Sequence, residues 1–480
     1  MAGTDRENIQ NLIEAKKIKI SRLASQIQDL TLLREAEIRE LATLQMMISP
    51  IGKLPTELLA EVFHHHVPIE RLSTWAEDNT DEIVQAALHI SQVCHSWREI
   101  AHDIPGLWVD GFRFDIDKEY TERQLAQTKT WLERSHPLPI TIYFHGFSEP
   151  GCILPEILLS STRRWRNLIW DVPFLEPLTK LGPGSLEALE IFTMDAQSFR
   201  HGPPDGAVDA FLLSQLRIFE IAIPLNDDVH MHSIFHVPWS QLTSLRMHNV
   251  TSLNDCCQML VQCISVVSVD LYTREWTFPD SAPPVVVLPF LETLKMDFSC
   301  FNPGNIARVD PFFSALSLPS LKTLDLTFEI GDVEFIWDTQ KFSEFQDRSP
   351  VVQKIQLNCD DEMDTDSLLT LLRHSPSITE LKINCELDDA FMHGLQCIHN
   401  GPSPFVPNLQ RLTLRNMGSQ PSDSAVEAMV RSRWWTGSAI PFPGVSHLQS
   451  PLTLTRGPHM SIQGIKTRLA DLGIYMHRGY

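Results

Sequence analysis

A short apolar motif returns ten times in the C-terminal two thirds of the chain, and it restricts the possible folds more than any other feature. The motif has the form L-x-x-L-x-L, with other large apolar residues allowed at its three fixed positions. Its first position moves from Trp165 to Leu409 in nine steps, so the mean spacing is 244/9, or about 27 residues. The ten copies are Trp165-Leu168-Trp170, Leu186-Leu189-Ile191, Leu216-Phe219-Ile221, Leu242-Leu245-Met247, Val266-Val269-Leu271, Leu291-Leu294-Met296, Leu321-Leu324-Leu326, Val352-Ile355-Leu357, Ile378-Leu381-Ile383 and Leu409-Leu412-Leu414.

One copy of this motif cannot bury its apolar residues alone. In a short strand the first, fourth and sixth positions face inward, where they pack on the same positions of neighbouring copies. A period of about 20–29 residues with this core is the signature of leucine-rich repeats, here in a degenerate form. The sequence therefore predicts an α/β fold, a leucine-rich-repeat-like solenoid with a parallel strand stack over residues 109–460. A C-terminal capping segment is expected at residues 461–480.

The first segment, residues 5–48, shows a seven-residue periodicity and contains neither Gly nor Pro. β-Branched residues dominate one heptad column and Leu the other, which favours a parallel two-stranded coiled coil. We expect a long helix that forms a homodimer with a second copy of the chain; the alternative is a single amphipathic helix folded back on the next domain. The columns are Ile13, Ile20, Ile27, Arg34, Leu41, Ile48 and Ile9, Lys16, Leu23, Leu30, Glu37, Leu44.

A small all-α domain is predicted for residues 49–108. Pro50 disfavours helix in the residue before it and so ends the first helix. A short helix with a broad apolar face is expected around residues 56–63, and a second apolar pattern of helical spacing runs over residues 86–102. Residues 67–83, between these two patterns, are predicted to be a polar insertion.

The same domain resembles a known family. The segments Leu54-Pro-Thr-Glu-Leu-Leu-Ala-Glu-Val-Phe63, Val93-Cys-His-Ser-Trp-Arg98 and Leu107-Trp108 resemble the F-box pattern. The order of coiled coil, F-box and degenerate leucine-rich repeats is similar to that of a large group of F-box proteins from mushroom-forming fungi. In that family the F-box is a three-helix motif that docks on the Skp-type linker of a cullin–RING ubiquitin ligase, and the C-terminal repeats hold the substrate.

The resemblance implies a docking face for the Skp-type linker on this domain. An exposed apolar helical face needs a partner to cover it, and a large aromatic residue such as Trp97 suits an anchor. For Trp97 and Cys94 the alternative is a place in the domain's own core. The implied docking residues are Leu54, Pro55, Leu58, Leu59, Val62, Phe63, Val93, Cys94, Trp97 and Ile100.

The charge and the cysteine content of the chain make some partners and some kinds of site unfavourable. Lys and Arg number 39 against 60 Asp and Glu, so the net charge of −21 disfavours nucleic acid and anionic membranes as partners. The nine cysteines are scattered and include no CxxC pair, so we expect neither a disulfide framework nor a zinc site. A reduced compartment, the cytoplasm or the nucleus, is the simplest expectation.

Motifs for catalysis are missing from the sequence. It contains no GxxxxGK[ST] phosphate loop, no GxGxxG after a strand, no HExxH and no GxSxG. The run His64-His65-His66 cannot converge on one metal ion, because successive side chains on a helix point in different directions. We therefore expect no catalytic residue, cofactor or metal, and no enzymatic activity. An enzyme whose site is assembled from distant residues is the weakest alternative.

Charged residues beside the inward positions of the motif are expected to line the concave face of the repeats. The early ones are mostly acidic and the last ones basic, which suggests a bipolar groove that selects a partner by electrostatic complementarity. The alternative is an ordinary solvated surface. The candidate partner-binding residues are Asp171, Glu190, Glu220, Arg246, Asp270, Lys354, Lys382, Arg411 and Arg415.

Together these features predict a substrate-recognition adaptor of a Skp–cullin–F-box ubiquitin ligase. It would dock the linker through the F-box and an unidentified target protein through the repeats. The alternative is a non-catalytic leucine-rich-repeat interaction scaffold in which the F-box-like segment is only structural.

Overall fold

The uninterrupted helical pattern at the N-terminus forms one helix in the computed structural model of the chain, α1 (Ala2–Ile48). The structure describes residues 2–48, 50–66, 80–146, 154–172, 176–179, 181–182, 184–195, 213–222, 237–277, 283–302, 306–359, 363–398, 405–415, 421–434, 445–446, 448 and 453–454. Most of the predicted insertion (residues 67–79) and the whole predicted cap (residues 461–480) lie outside the described residues.

The chain divides into two compact units. Unit 1 consists of Met1–Arg71 and Ile83–Leu107, and unit 2 of Leu72–Glu82 and Trp108–Tyr480. The helices of unit 1 after α1 are α2 (Thr56–His66), α3 (Thr80–Val93) and α4 (His95–His102); the first three residues of α3 are assigned to unit 2.

The second apolar pattern of unit 1 is divided between two helices, because the chain is extended at Cys94 (φ −158°, ψ 174°). The Cys94 Sγ accepts a hydrogen bond from the Trp97 backbone N–H at 3.4 Å and thereby caps α4. Phe63 of α2 then packs against Trp97 of α4, with ring centroids 4.8 Å apart. Buried residues of the unit include Leu59, Ile90 and Ala101.

The described part of unit 2 is dominated by a sheet of 13 parallel strands in chain order. Each strand pairs with the next through a crossover, as parallel pairing requires. The strands are β1 (Phe112–Asp115), β2 (Ile140–His145), β3 (Trp165–Asp171), β4 (Ile191–Asp195), β5 (Ile218–Ala222), β6 (Ser244–Ser252), β7 (Ser268–Thr277), β9 (Thr293–Cys300), β12 (Thr323–Ile330), β14 (Lys354–Cys359), β15 (Glu380–Asn384), β16 (Arg411–Arg415) and β17 (Thr453–Leu454). The mixed α/β class, with an N-terminal helix and a parallel sheet, is confirmed.

Two short parallel pairs accompany this sheet. They are β8 (Val286–Val287) with β11 (Leu316–Ser317), and β10 (Ile306–Arg308) with β13 (Glu334–Ile336). The helices of unit 2 are α5 (Glu122–Arg134), α6 (Glu156–Leu159), α7 (Glu176–Thr179), α8 (Leu253–Gln262), α9 (Asp310–Ala315), α10 (Thr339–Asp347), α11 (Thr365–Arg373), α12 (Asp389–Leu395) and α13 (Asp423–Arg433).

The strand register shows which motif copies are equivalent. In the eight copies from the third to the tenth, the fourth and sixth motif positions pair with their counterparts, as in Leu294 with Leu324 and Met296 with Leu326. The second copy differs, because Leu168 pairs with Phe192 rather than with Leu189. Its true motif begins three residues later than the sequence suggests. Leu186 is also buried, so the apolar pattern fits a motif that begins at Leu186 as well as one that begins at Leu189.

Alternation within each strand places the core on one face of the sheet. In β9 every second residue, from Leu294 to Cys300, is buried, and the residues between them are half-buried. The buried series continues into β1 and β2, where Phe114 pairs with Phe144. The other face therefore carries the polar residues of the strands. None of the described helices combines the length and the apolar character needed to cross a membrane.

Candidate functional site

An apolar stripe lies exposed on unit 1. Leu58 and Val62 are spaced by four residues on one side of α2. Leu54 lies just before this helix, and the exposed fractions of Leu54, Leu58 and Val62 are 38%, 53% and 48%. Val93, at the end of α3, is 60% exposed. Pro55 is also exposed, and its carbonyl accepts the first backbone hydrogen bonds of α2 from Leu58 and Leu59. We refer to Leu54, Leu58, Val62 and Val93 as the apolar stripe.

The remaining residues implied as a docking face lie in or near the core of unit 1. Leu59 and Phe63 occupy the opposite side of α2 and are only 6% and 1% exposed. Trp97, Cys94 and Ile100 are half-buried, and the Trp97 ring packs against Phe63 in a tilted arrangement. The structure thus separates the ten residues into an accessible group and a group that holds α2 against α4.

The histidine run at the end of α2 does not gather metal ligands. His65 is exposed and contacts Glu61 one turn earlier at 3.3 Å. Within the described ranges, the chain brings together no group of three or more His, Cys, Asp or Glu side chains suited to a metal ion.

Three cysteines are buried in the core of unit 2: Cys256 and Cys257 in α8, and Cys263 directly after it. Burial raises the pKa of Cys257 and of Cys263 to about 12. The pKa of Cys256 is also raised, first by burial and then by the neighbouring thiols. These thiols stay protonated at neutral pH, which makes them poor nucleophiles.

The polar face of the unit 2 sheet carries a row of charged residues in register. Glu220, Arg246, Asp270, Lys295 and Asp325 lie side by side on five successive strands. Arg246 bridges its two neighbours, with its Nε 3.0 Å from the Asp270 carboxylate and its Nη1 3.2 Å from that of Glu220. The charges in this row alternate, so they largely neutralise one another.

Aromatic residues beside this row extend its hydrogen-bond network. His248 contacts the Glu220 carboxylate at 3.1 Å and stacks on Tyr272, with ring centroids 4.4 Å apart. Lys295 donates to the Tyr272 hydroxyl at 3.2 Å. Sequence reasoning did not select His248 or Tyr272, because it considered only charged residues. Both follow a sixth motif position directly, and that position is the signal that could have found them.

The two N-terminal acidic candidates are also satisfied within the sheet. Asp171 accepts a hydrogen bond from the Tyr143 hydroxyl at 3.0 Å. Glu190, which directly precedes β4, forms an ion pair with Arg166 at 2.8 Å. The acidic half of the expected bipolar groove therefore has partners of its own.

The basic candidates at the other end of the sheet outnumber their acidic partners. Lys354, Glu380 and Arg411 are side by side on β14, β15 and β16. The Glu380 carboxylate is 2.6 Å from Arg411, 3.2 Å from Lys382 and 3.8 Å from Lys354. Burial alone would raise the pKa of Glu380, but hydrogen bonds from Arg411 and Lys382 outweigh it and lower that pKa.

A groove of about 300 Å³ opens beside these basic residues on β14, β15 and β16. Lys382 and Arg415 line it, together with polar side chains that the sequence analysis did not select. The structure gives Arg415 no ion pair with a described residue. The lining residues are Gln356, Leu357, Asn358, Lys382, Ile383, Asn384, Thr413 and Arg415.

Two polar atoms at and near the groove are buried without a hydrogen-bond partner among the described residues. They are the Oδ1 atoms of Asn384, in the groove wall, and Asp325, two strands away. Burial raises the pKa of Asp325, an effect that Lys295 and Lys382 oppose. A buried acceptor without a partner is unfavourable, so these two atoms reduce the stability of this end of the polar face.

Comparison with known proteins agrees with the geometry of unit 1. A family model described as F-box-like matches residues 51–113. This range includes the entire apolar stripe, α2, α3 and α4. A search of curated proteins finds none that matches the chain. Residues 51–113 thus form an F-box-like domain, which supports the assignment of the chain as an F-box protein.

Proposed function

We propose that the chain is a substrate-recognition adaptor of a Skp–cullin–F-box ubiquitin ligase. The observation that carries this proposal is the coincidence of the F-box-like match with the apolar stripe. F-box domains bind the Skp-type linker of cullin–RING ligases, and Leu58 and Val62 offer it an accessible apolar surface. Leu59 and Phe63 then serve as the support that fixes α2 beneath this surface.

The physical argument for a partner on the stripe rests on exposure. Large apolar side chains grouped on one side of a helix are unfavourable in water and mark interaction sites. Leu58 and Val93 are each more than half exposed, whereas Leu59 next to Leu58 is buried. Burying such side chains contributes about 1.5–3 kcal/mol each. Four of them would form an apolar centre for the interface.

The second part of the proposal assigns target binding to unit 2 as a leucine-rich-repeat-like receptor. Its support is the in-register parallel pairing from Ile142 to Leu412, in which equivalent residues of neighbouring strands are 24–31 residues apart. The polar face of the sheet would hold the target. F-box proteins are generally non-catalytic adaptors, so ubiquitin transfer would be promoted by proximity alone. The proposal places the protein in the cytoplasm or nucleus and includes a fungal origin of the type described above.

The third part of the proposal assigns α1 to a coiled-coil homodimer. Its described apolar residues are about half to two thirds exposed, from 47% at Leu23 to 66% at Ile18. The heptad columns favour a parallel pair with a second copy of the chain.

A pull-down of the full chain against a purified Skp-type linker tests the adaptor role. The Leu58→Asp and Val62→Asp substitutions place a charge in the apolar stripe and should abolish capture. The Leu32→Asp substitution is the matched control, because Leu32 is 57% exposed on α1, outside the stripe. Circular dichroism should show a native fold in all three variants.

Phe63→Ala separates docking from stability. Phe63 is 1% exposed, so its truncation should cost about 3–5 kcal/mol of folding free energy. Linker capture should then fall only in proportion to the folded fraction. If the folded wild type fails to capture the linker, the adaptor role is excluded and the scaffold remains as the alternative.

A further inference from the structure

The three strands that border the groove have an excess of positive charge. β14, β15 and β16 together carry four basic residues, Lys354, Lys382, Arg411 and Arg415, and one acidic residue, Glu380. All five lie on the polar face, because the residues between them are buried. A local excess of cations in a chain with a net charge of −21 is contrary to its overall composition.

The single carboxylate cannot neutralise this excess. Glu380 accepts contacts from three of the four cations and is itself only 14% exposed. Lys354, Lys382 and Arg411 keep about half of their side-chain surface in solvent, 50%, 47% and 50%. They can therefore contact a further anion without giving up Glu380. Arg415, exposed at the end of β16, adds a planar guanidinium that can bind a carboxylate through two hydrogen bonds.

Amide and hydroxyl groups in the groove suit the backbone of a peptide. Asn358 and Asn384 are adjacent on β14 and β15 and hydrogen-bond to each other through their side chains. The buried Oδ1 of Asn384 has no hydrogen-bond partner among the described residues. Side-chain amides both donate and accept, which matches the alternating groups of an extended chain. The groove volume of about 300 Å³ is at the lower limit of ligand sites and fits a short segment.

We propose that this groove binds an acidic segment of a protein in extended conformation, with Lys382 and Arg415 contacting its anionic side chains. Its identification as the recognition segment of a ubiquitylation target rests on the proposed function, whereas the binding chemistry rests on the groove alone. Asp171, Glu220 and Asp270 take no part, because they have hydroxyl or basic partners within the sheet. The excess of basic residues on the polar face therefore lies at the end formed by β14, β15 and β16.

Nucleic acid is the less favourable anionic ligand for this groove. The net charge of −21 repels a long polyanion, whereas a short acidic segment experiences mainly charges within a Debye length of about 8–10 Å. The cations are also confined to three neighbouring strands, too few to follow a phosphate backbone.

Fluorescence anisotropy with the full chain and labelled peptides tests the inference. The probes are a short peptide of alternating Glu and Ser, the same peptide with Gln in place of Glu, and its phosphoserine counterpart. The Glu peptide should bind and the Gln peptide should bind at least about tenfold more weakly. Tighter binding of the phosphoserine peptide would also support the groove and identify the phosphoryl group as the preferred anion.

Variants of the full chain locate the binding. Lys382→Ala and Arg415→Ala should each weaken binding of the Glu peptide about tenfold, because each removes a charge-assisted hydrogen bond. Arg415→Lys should recover part of the loss. Lys129→Ala is the matched control, since Lys129 is an exposed cation on α5 and its truncation should leave binding unchanged.

Three outcomes would overturn the inference. They are equal binding of the Glu and Gln peptides, unchanged affinity in both groove variants, and tighter binding of a single-stranded oligonucleotide than of either anionic peptide. Linker capture measured on the same preparations keeps the two proposals separate. A chain that captures the linker and ignores the peptides contradicts only the groove, and the reverse result contradicts only the adaptor role.

Discussion

Neighbouring residues of α2 show how strongly a single position decides the role of a side chain. Leu58 and Leu59 are chemically identical, yet one is 53% exposed and the other 6%. A helix turns by about 100° per residue, so the two side chains point to different surroundings. Leu58 belongs to the surface that we propose for the linker, and Leu59 belongs to the core that makes this surface rigid.

The acidic residue at the start of α9 offers a test of electrostatics at the residue scale. Asp310 has 2% of its side-chain surface exposed and is held by Arg308 and Lys341, each at 3.0 Å. Burial alone would raise its pKa, but the hydrogen bonds from Arg308 and Lys341 outweigh burial and lower the pKa below 3.8. A lowered pKa stabilises the fold above the ordinary value, and this contribution is lost as the pH falls through the folded-state pKa.

We therefore expect Asp310→Asn to reduce the free energy of unfolding by about 1–3 kcal/mol at pH 7. The difference from wild type should shrink as the pH falls from about 4 through the lowered folded-state pKa, below which the wild-type carboxyl is also protonated. Urea denaturation at several pH values measures both effects. Asp332→Asn, at an exposed turn, is the control and should change stability by less than about 0.5 kcal/mol. An Asp310 effect that does not depend on pH would contradict this account.

At the scale of elements, α1 is the helix whose described surface is least covered. Its described residues, 9, 11–41 and 44–45, are all exposed. Intrinsic helix propensity and a long uninterrupted pattern explain why the helix forms. They do not explain thirteen exposed Leu and Ile side chains, eight of which lie in the two heptad columns that a second helix would cover.

The heptad assignment makes the proposed dimer testable. Ile20→Lys and Ile27→Lys place a charge in the seam and should convert the dimer to a monomer, as measured by sedimentation equilibrium. Ile18→Lys is the matched control, because Ile18 has the same side chain and 66% exposure but lies opposite the seam. The dimer should persist in this control. A monomeric wild type, or equal effects of all three substitutions, would contradict the proposal.

Among the strands, β4 shows the limit of reading elements from an apolar pattern. Leu186, Leu189, Phe192 and Met194 are all buried, so two settings of the motif fit the sequence. The pairing of Leu168 with Phe192 selects the later setting. The hydrogen bonds of a neighbouring strand made this choice, and no local propensity could have made it.

For the molecule as a whole, the central strands of the unit 2 sheet share more paired residues than the strands at its ends. β9 and β12 share eight residue pairs in register, whereas β16 and β17 share two. Among the described residues, β1 and β17 end the strand order, so each has a described neighbour on one side only. Protection against local opening should follow the same distribution, since unpaired strand edges open at the lowest free energy.

We expect native-state hydrogen exchange to be slowest in residues 293–300 and 323–330 and much faster in residues 112–115 and 411–415. Leu326→Ala, in the slow group, should lower the global free energy of unfolding by about 2–5 kcal/mol. Thr327→Val is the control on the opposite face and should change it by less than about 1 kcal/mol. Mass spectrometry of exchanged peptides provides the measurement. Uniform exchange along the sheet would rule out this distribution of stability.

The sequence by itself determined the long first helix, the helical patterns of residues 56–63 and 86–102 (without the break at Cys94 between α3 and α4), and nine of the ten strand positions. It also carried the F-box resemblance in residues 54–108. Each of these depends on a pattern with a period of two, about 3.6 or about 27 residues. Such patterns can be recognised in the sequence without knowledge of tertiary contacts.

The tertiary structure alone decided which residues of those patterns are accessible and which charges are already paired. Arg246 and Arg415 look alike in sequence, yet Arg246 lies between two carboxylates and Arg415 lines a groove. Partners of this kind come from strands 24–31 residues away, and their identity depends on register. Because register follows from the packing of every strand on the next, no single segment of the sequence contains it.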